Sequence, residues 1–358
     1  VFIGAGGMGK ETVSRIKHMT EKAGMENVFF LGLDIDWSMS SDSTSDIPLP
    51  KISVDQPWAD IKAQKKDHNE EFFKWFPPTH EINSPLTGGN AAGQIRINGR
   101  FALYMNSTSV RESILKTIDK ARDIAKTNVN DDQIFVFLVS SLGGGTGAGI
   151  FLDVAFITRN ILGESHRLYG VFYDGTITKG YQTNTLHFSY AALQEIEYWL
   201  QNYKRFDMMY AGGQSVMGGN LNRLFDLVFL VQAETSDGKK FNTSGHSVSP
   251  YIPMVAEAMF TLMSYPEVRK YFIANQWNRF DALNIEGMQI RYASFGVGSI
   301  NYDEEGVLDY AANRLILQHV LDWDKAGTAG EKKTGLADSA FDEIIEKALQ
   351  IGERVDQA

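Results

Sequence analysis

Residues 134–149 most constrain what this chain can fold into. Ile134 to Val139 is a continuous apolar run, and after Ser140, Ser141 and Leu142 five glycines occupy the seven positions from Gly143 to Gly149. Uninterrupted apolar runs of this length suit strands buried on both faces of a parallel sheet. Ile150, Phe151, Val154, Ile157 and Ile161 then recur at helical spacing. Each ordered glycine costs roughly 1 kcal/mol of conformational entropy, so a run this dense between a strand and a helix is not an ordinary turn. A flexible turn is the bland reading. The alternative is a backbone kept bare so that a ligand can approach it.

The same pattern opens the chain. Val1-Phe2-Ile3 feeds Gly4-Ala5-Gly6-Gly7-Met8-Gly9, and Val13, Ile16, Met19 and Ala23 follow at helical spacing. Two strand–glycine–helix units each present backbone N–H groups and a positive helix end, which together favour phosphate. One such loop suffices for a pyrophosphate; two suit a longer polyphosphate. Further strands are predicted at 28–33, 168–173, 227–231 and 292–300, and helices at 110–125, 190–203, 251–263, 304–323 and 337–355. Their alternation predicts an α/β fold with a doubly wound, mostly parallel sheet. Between Ser38 and Arg100 the pattern weakens into an elaborated connection with an aromatic cluster, Phe72-Phe73-Lys74-Trp75-Phe76. That segment reads either as functional or as a surface insertion.

At 358 residues the expected count is two domains. They are placed at 1–246, the ligand-binding domain, and 273–358, a smaller second domain that reads as reduced or incomplete, with residues 247–272 as a connecting helix. The formal charge of −10, with no basic block, argues against direct nucleic-acid binding. With no cysteine, disulfides and thiolate metal sites are excluded, and a reducing cytoplasm fits. No apolar run reaches the 18 or so residues of a membrane span. No signal peptide stands at the start, although the chain opens inside an apparent strand and upstream targeting is left open. The seven histidines show no metal-ligand spacing.

The first loop alone has three readings. Gly4, Gly6 and Gly9 fit G-x-G-x-x-G, with Asp34 or Asp36 ending the second strand, which is the dinucleotide fingerprint of an NAD-dependent oxidoreductase. Gly4, Gly9 and Lys10 nearly spell a P-loop, but Glu11 stands where Ser or Thr would help to hold magnesium. The third reading takes both loops together. Ser140-Ser141-Leu142-Gly143-Gly144-Gly145-Thr146-Gly147-Ala148-Gly149 closely resembles the tubulin/FtsZ pattern G-G-G-T-G-[ST]-G, with Ala148 where Ser or Thr is usual. Gly4–Gly9 resembles the first phosphate loop of that superfamily, and Ala293-Ser294-Phe295-Gly296-Val297-Gly298-Ser299 resembles the first strand of the FtsZ second domain. The resemblance covers most of residues 1–320 and is greatest to the divergent prokaryotic tubulin-like proteins.

That resemblance implies binding of GTP and GDP with Mg²⁺ by Gly4, Gly6, Gly7, Met8, Gly9, Lys10, Glu11 and Gly143, Gly144, Gly145, Thr146, Gly147. It places Asp36 on a magnesium-bound water or the ribose, and Asn90, Ala91, Ala92 and Gly93 in the loop that senses the terminal phosphate. Asp174 and Asn184 fall near the ribose or base, and Tyr251 where a ring stacks on guanine. Each has a plainer reading: Thr146 as a helix N-cap, Asp36 as a turn cap, Lys10 as a solvated first-turn lysine, Tyr251 as core. The resemblance also implies a GTPase that assembles head to tail into filaments, the next subunit supplying acids from an N-x-D-x-x-D loop to polarise water. Here that loop reads Asn278-Arg279-Phe280-Asp281-Ala282-Leu283-Asn284; Asn278 matches, and Asp281 is displaced by one position. The implied partner is a second copy of the chain, with any adaptor or regulatory protein open. A nonpolymerising switch on the same fold is the other reading of this resemblance.

Overall fold

The structure, a computed structural model, describes residues 1–35, 47–48, 50, 52–56, 58–66, 70–77, 79–83, 85–86, 92–126, 133–178, 184–233, 251–265, 267–272, 284–285, 288–289, 292–294 and 310–316. In chain order these form β1 (Phe2–Ala5), α1 (Gly6–Lys22), β2 (Phe30–Leu33), α2 (Trp58–Lys66), α3 (Glu70–Trp75), α4 (Arg96–Ala125), β3 (Phe135–Ser141), α5 (Thr146–Leu162) and β4 (Arg167–Tyr173). They continue with α6 (Gly175–Thr178), α7 (Thr185–Asn202), β5 (Asp207–Met209), β6 (Ser215–Met217), β7 (Leu227–Val231), α8 (Tyr251–Ser264), β8 (Asn284–Ile285), β9 (Met288–Gln289) and β10 (Tyr292–Ala293). The chain divides into two compact units, Val1–Val297 and Gly298–Ala358. Of the second, only 310–316 is described, a helical stretch in which Arg314 donates to the Tyr310 hydroxyl.

Six strands form one sheet in the order β10-β7-β4-β3-β1-β2, every pairing parallel, with helices on both faces. Alternation along each strand sorts side chains between two cores. Ile3, Ala5, Val136 and Leu138 point to the side carrying α4, α5 and α7, whereas Phe2, Phe137 and Val139 point to the side carrying α1 and α8. The parallel register puts Phe30, Phe2, Phe137 and Tyr169 side by side on that second face, with successive ring centroids 6.0, 5.0 and 5.1 Å apart. This aromatic row pins the register under α1, because a one-residue slip would turn every ring to the opposite core.

Four features depart from the sequence expectation. The helix predicted at 110–125 begins at Arg96, with non-helical backbone at Asn106 where two segments join. Polar residues at 96–100 mask its periodicity. The hairpin β5–β6 was not predicted, since its three-residue strands are too short to show alternation. The aromatic cluster at 72–76 is core and not a surface appendage: Phe72 and Phe76 are fully buried and pack with Trp58 and Trp75 around Phe101 and Tyr104 of α4. Tyr292–Ala293, read from sequence as the start of the second domain, pairs with β7 as the edge of this sheet. The expected helix at 337–355 lies outside the described residues.

At the amino-terminal end of β4 the core holds a closed ion network. Arg159 of α5 is fully buried, donates to the carbonyls of Leu224, Gly163 and His166, and meets Asp226 at 2.6 Å. Arg167, Arg223 and the Leu168 N–H also face Asp226. Burial alone would raise the Asp226 carboxyl; Arg159, with Leu168 and Arg223, holds it below the usual carboxylate range. A carboxylate depressed on folding adds stability above its unfolded pKa of about 3.9, and that contribution is lost as pH falls through the folded value. Asp226→Asn leaves Arg159 buried beside a neutral amide and is expected to cost roughly 3–5 kcal/mol near neutrality. The gap between wild type and variant should narrow below about pH 4, which urea titrations at neutral and acid pH would read.

Candidate functional site

In an open parallel sheet the ligand crevice lies at the carboxyl ends of the strands, where the strand order reverses. Here β1 pairs with β2 on one side and β3 on the other, so the reversal falls between β1 and β3. Both glycine segments leave the sheet at that point: β1 ends at Ala5 and α1 starts at Gly6, while β3 ends at Ser141 and α5 starts at Thr146.

The two segments touch. Gly6 has φ +72°, and a Cβ placed on it would lie 2.7 Å from the backbone nitrogen of Gly147. A Cβ on Gly147 would in turn meet the Ser140 Oγ at 2.7 Å and the Ala5 carbonyl oxygen at 2.8 Å. Gly4 and Gly9 are closed from within as well, since a Cβ on Gly4 would fall 2.4 Å from the Gly9 carbonyl oxygen and one on Gly9 would fall 2.2 Å from that of Val139. Gly143 sits against Thr178 and Thr185, and Gly145 against the backbone of Gln94 and Ile95. Gly144 and Gly7 differ. Among the described residues, nothing lies within 4 Å of a Cβ placed on Gly144, and near one on Gly7 there is only the Asp34 Oδ2 at 3.9 Å. The glycines that pack thus hold the loops together, and these two line the open side.

Both helices beginning here lack side-chain caps and have no acid in the first turn. An α-helix leaves its first four N–H groups without intrahelical partners, so two uncapped N-termini at one crevice form an anion-seeking surface. Thr146 is the first helical residue, one position past the Gly145 cap, and is buried. The first turn of α1 is fixed from behind: the Thr12 hydroxyl donates to the Met8 carbonyl, which leaves the Tyr173 hydroxyl, 2.8 Å away, to donate to Thr12. Burial pushes the Tyr173 hydroxyl pKa upward, keeping it protonated for that bond.

The other expected residues distribute as follows. Lys10 is buried and paired with Asp34 at 3.3 Å. Asp34 is therefore already engaged, where a dinucleotide site would offer that carboxylate to ribose. Glu11 is nearly half exposed and pairs with Arg15 at 3.1 Å. Ala92 is buried and Gly93, with φ +56°, adjoins Gln94, which brings that loop against Gly145. The Asp174 carboxylate accepts from the N–H and hydroxyl of Thr176, heading α6 beside Gly143. Asn184 is the exposed N-cap of α7. Tyr251, the first residue of α8, is 1% exposed and packs in the second core, its hydroxyl 3.5 Å from the Ala233 carbonyl. Asp36, Asn90, Ala91, Asn278 and Asp281 lie outside the described residues. Among the described residues no cluster of three or more His, Cys, Asp or Glu could hold a metal ion, and no helix is long and apolar enough to cross a membrane.

Besides Gly149 of the glycine run, the site uses residues that the sequence did not single out. Gly99 and Gly149 let α4 cross α5 closely, since Cβ atoms there would meet Gly145 and Arg96 carbonyl oxygens at 2.5 and 2.2 Å. Arg96 donates to the Ala148 carbonyl and pairs with Glu195 of α7. Gln94 has φ +62°, rare for a residue with a Cβ, and strain of this kind concentrates at ligand-binding loops. Nothing in the sequence marked Gly99 or Gln94.

A doubly wound parallel sheet with two touching glycine turns at its switch point defines the class of α/β protein that this chain is. The chain belongs to the family described as "Tubulin like", which matches residues 1–321. No curated protein matches the sequence. Solved structures similar to it include CetZ2 from Haloferax volcanii in a GTPγS-bound protofilament, at TM-score 0.42 and 12% identity over 76% of this chain and 61% of that one. Also similar are TubZ of Clostridium botulinum phage c-st (0.40, 11%, 74% and 60%) and FtsZ of M. jannaschii (0.37, 16%, 86% and 60%). The chain thus spans about three fifths of the length of those structures.

Gly6→Ala is expected to destabilise the fold by more than 2 kcal/mol, because it joins a left-handed backbone to a backbone clash. Gly144→Ala should stay within roughly 1 kcal/mol of wild type, since its Cβ enters open space. Thermal melts of the two variants side by side test this division.

Proposed function

We propose that the protein binds GTP at the crevice between the two glycine turns and hydrolyses it when a second copy of the chain stacks head to tail on that face. The observation that carries the proposal is the meeting of two uncapped helix N-termini at the switch point, with Gly7 and Gly144 leaving their open side bare. A crevice flanked by two such turns suits a chain of phosphates better than a single group. Membership in the tubulin-like family supports guanine as the base and a filament as the assembly, because backbone N–H groups read phosphate and not the base.

The roles follow from this placement. Gly7, Met8, Gly144, Gly145 and Thr146 would supply N–H donors to the phosphates, and Gly93 and Gln94 would border the terminal one. Asp174 and Asn184 would border the sugar or base. Mg²⁺ would arrive with the nucleotide, held by phosphate oxygens and water as this ion commonly is, and would neutralise charge on the phosphates. Asp36 would hold one of its waters. Asn278 and Asp281 of one copy would orient the attacking water at the nucleotide of the next. A contact between unlike faces of identical chains propagates without closing, which is what a filament requires. A cytoplasmic location belongs to the same proposal.

Phosphate release from GTP, followed with light scattering while protein concentration is raised, with ATP as comparator, tests the reading. Specific activity should rise above a threshold concentration together with scattering, and Asp281→Ala should lower the plateau by roughly 10²-fold, the scale on which a positioned catalytic group acts. Gly144→Val should abolish binding while the fold stays intact. If GTP binds but turnover per molecule stays flat and scattering never rises, the filament claim is wrong and a monomeric GTP-dependent switch is the better description.

A further inference from the structure

Tyr173, the last residue of β4, is bonded to both glycine turns. Its backbone carbonyl accepts the Leu142 N–H at 2.8 Å, immediately before Gly143 of the second turn. Its side chain lies in the core that α1 covers, where its hydroxyl is 2.8 Å from the Thr12 Oγ1, and the Thr12 hydroxyl donates to the Met8 carbonyl of the first turn at 2.7 Å. Thr12 and Tyr173 are fully buried, and β4 is separated from β1 by β3, so this chain of hydrogen bonds spans the switch point. A threonine hydroxyl bonded four residues back is ordinary in a helix. The buried phenol behind it is not, because phenylalanine, the residue at positions 2, 30 and 137 of the same core, fills such space with no hydroxyl to take out of water. Thr12 gives its one hydroxyl proton to Met8, so Tyr173 is the donor to Thr12.

Resting on the nucleotide reading above, we propose that Tyr173 is a positioning residue for phosphate: through Thr12 and Met8 its hydroxyl sets the first turn of α1 against the second glycine turn, which its own carbonyl holds. Met8 is the third residue of α1, and its N–H is among the first four of the helix, which have no intrahelical partner. Backbone donors serve an anion best when they are already aimed, since ordering them on binding subtracts from affinity. A buried side chain on a strand flanked by β3 and β7 gives that aim a rigid support. The support acts on the phosphate end of a ligand, because the turns it joins present N–H groups and not base-reading side chains.

The test is calorimetric binding of GTP and of inorganic triphosphate, with magnesium, to the full chain and its variants, each held well below its own melting temperature. Tyr173→Phe removes the hydroxyl and keeps the ring; it should weaken both ligands by the same factor, about three- to tenfold, the scale of one hydrogen bond. Thr12→Val should do the same, and Thr12→Ser, which restores the hydroxyl, should bind as wild type does. The double variant Thr12→Val with Tyr173→Phe should be no weaker than Thr12→Val alone, because both changes cut one chain. Should Tyr173→Phe fail to fold, the Thr12→Val and Thr12→Ser pair carries the test from the other end. A lower melting temperature for Tyr173→Phe with unchanged affinity shows a structural role alone and overturns the proposal while leaving the nucleotide site standing. Additive losses in the double variant, Thr12→Ser as weak as Thr12→Val, or a loss for GTP with none for triphosphate also overturns it. If wild type binds neither ligand, the nucleotide reading falls and this inference with it.

Discussion

The contact between Gly6 and Gly147 is the point on which the rest of the structure turns. It brings the strand-to-helix corners of β1–α1 and β3–α5 to within a distance that no side chain would allow. Everything around it follows from that closeness. Gly4 and Gly9 fold the first turn tightly over its own strand, and Gly99 and Gly149 bring α4 down onto α5. The loop at 92–95 then closes against Gly145. Glycine here is a packing requirement in eight positions and an exposure requirement in two, Gly7 and Gly144. A flexible turn would show neither division.

Much of this was legible in the amino-acid sequence, for a physical reason. Strands buried on both faces are uninterrupted apolar runs, so β3, β4 and β7 were readable almost to the residue. The glycine turns announced themselves by density. What stayed hidden was long-range. Arg159 looks like a surface residue at the end of a helix, and only the fold brings Asp226 to it. Lys10 reads from sequence as a phosphate ligand or a solvated lysine; it is buried, not solvated, and Asp34, 24 positions along the chain, pairs with it. Gln94 has no local mark because its left-handed backbone is imposed by neighbours.

The connection between β2 and α4 illustrates the same limit. Its composition suggested a loop of uncertain purpose, yet Phe72 and Phe76 seat it firmly on Phe101 of α4, in the same first turns whose Gly99 abuts Gly145 and Thr146. Local patterning could not reveal this because the aromatic partners, Phe101 and Tyr104, lie 25 or more residues further on. Stability and site geometry are thereby carried by the same helix, so changes in that connection should be felt in the crevice.

The central claim is that two glycine turns form one phosphate site. It is tested most directly by a crystal structure of the protein with GTPγS and magnesium. The account predicts phosphate oxygens within hydrogen-bond distance of backbone N–H groups from both turns, around Gly7–Met8 and Gly144–Thr146. Nucleotide seated on one turn alone, or anywhere other than the β1–β3 edge, would contradict it.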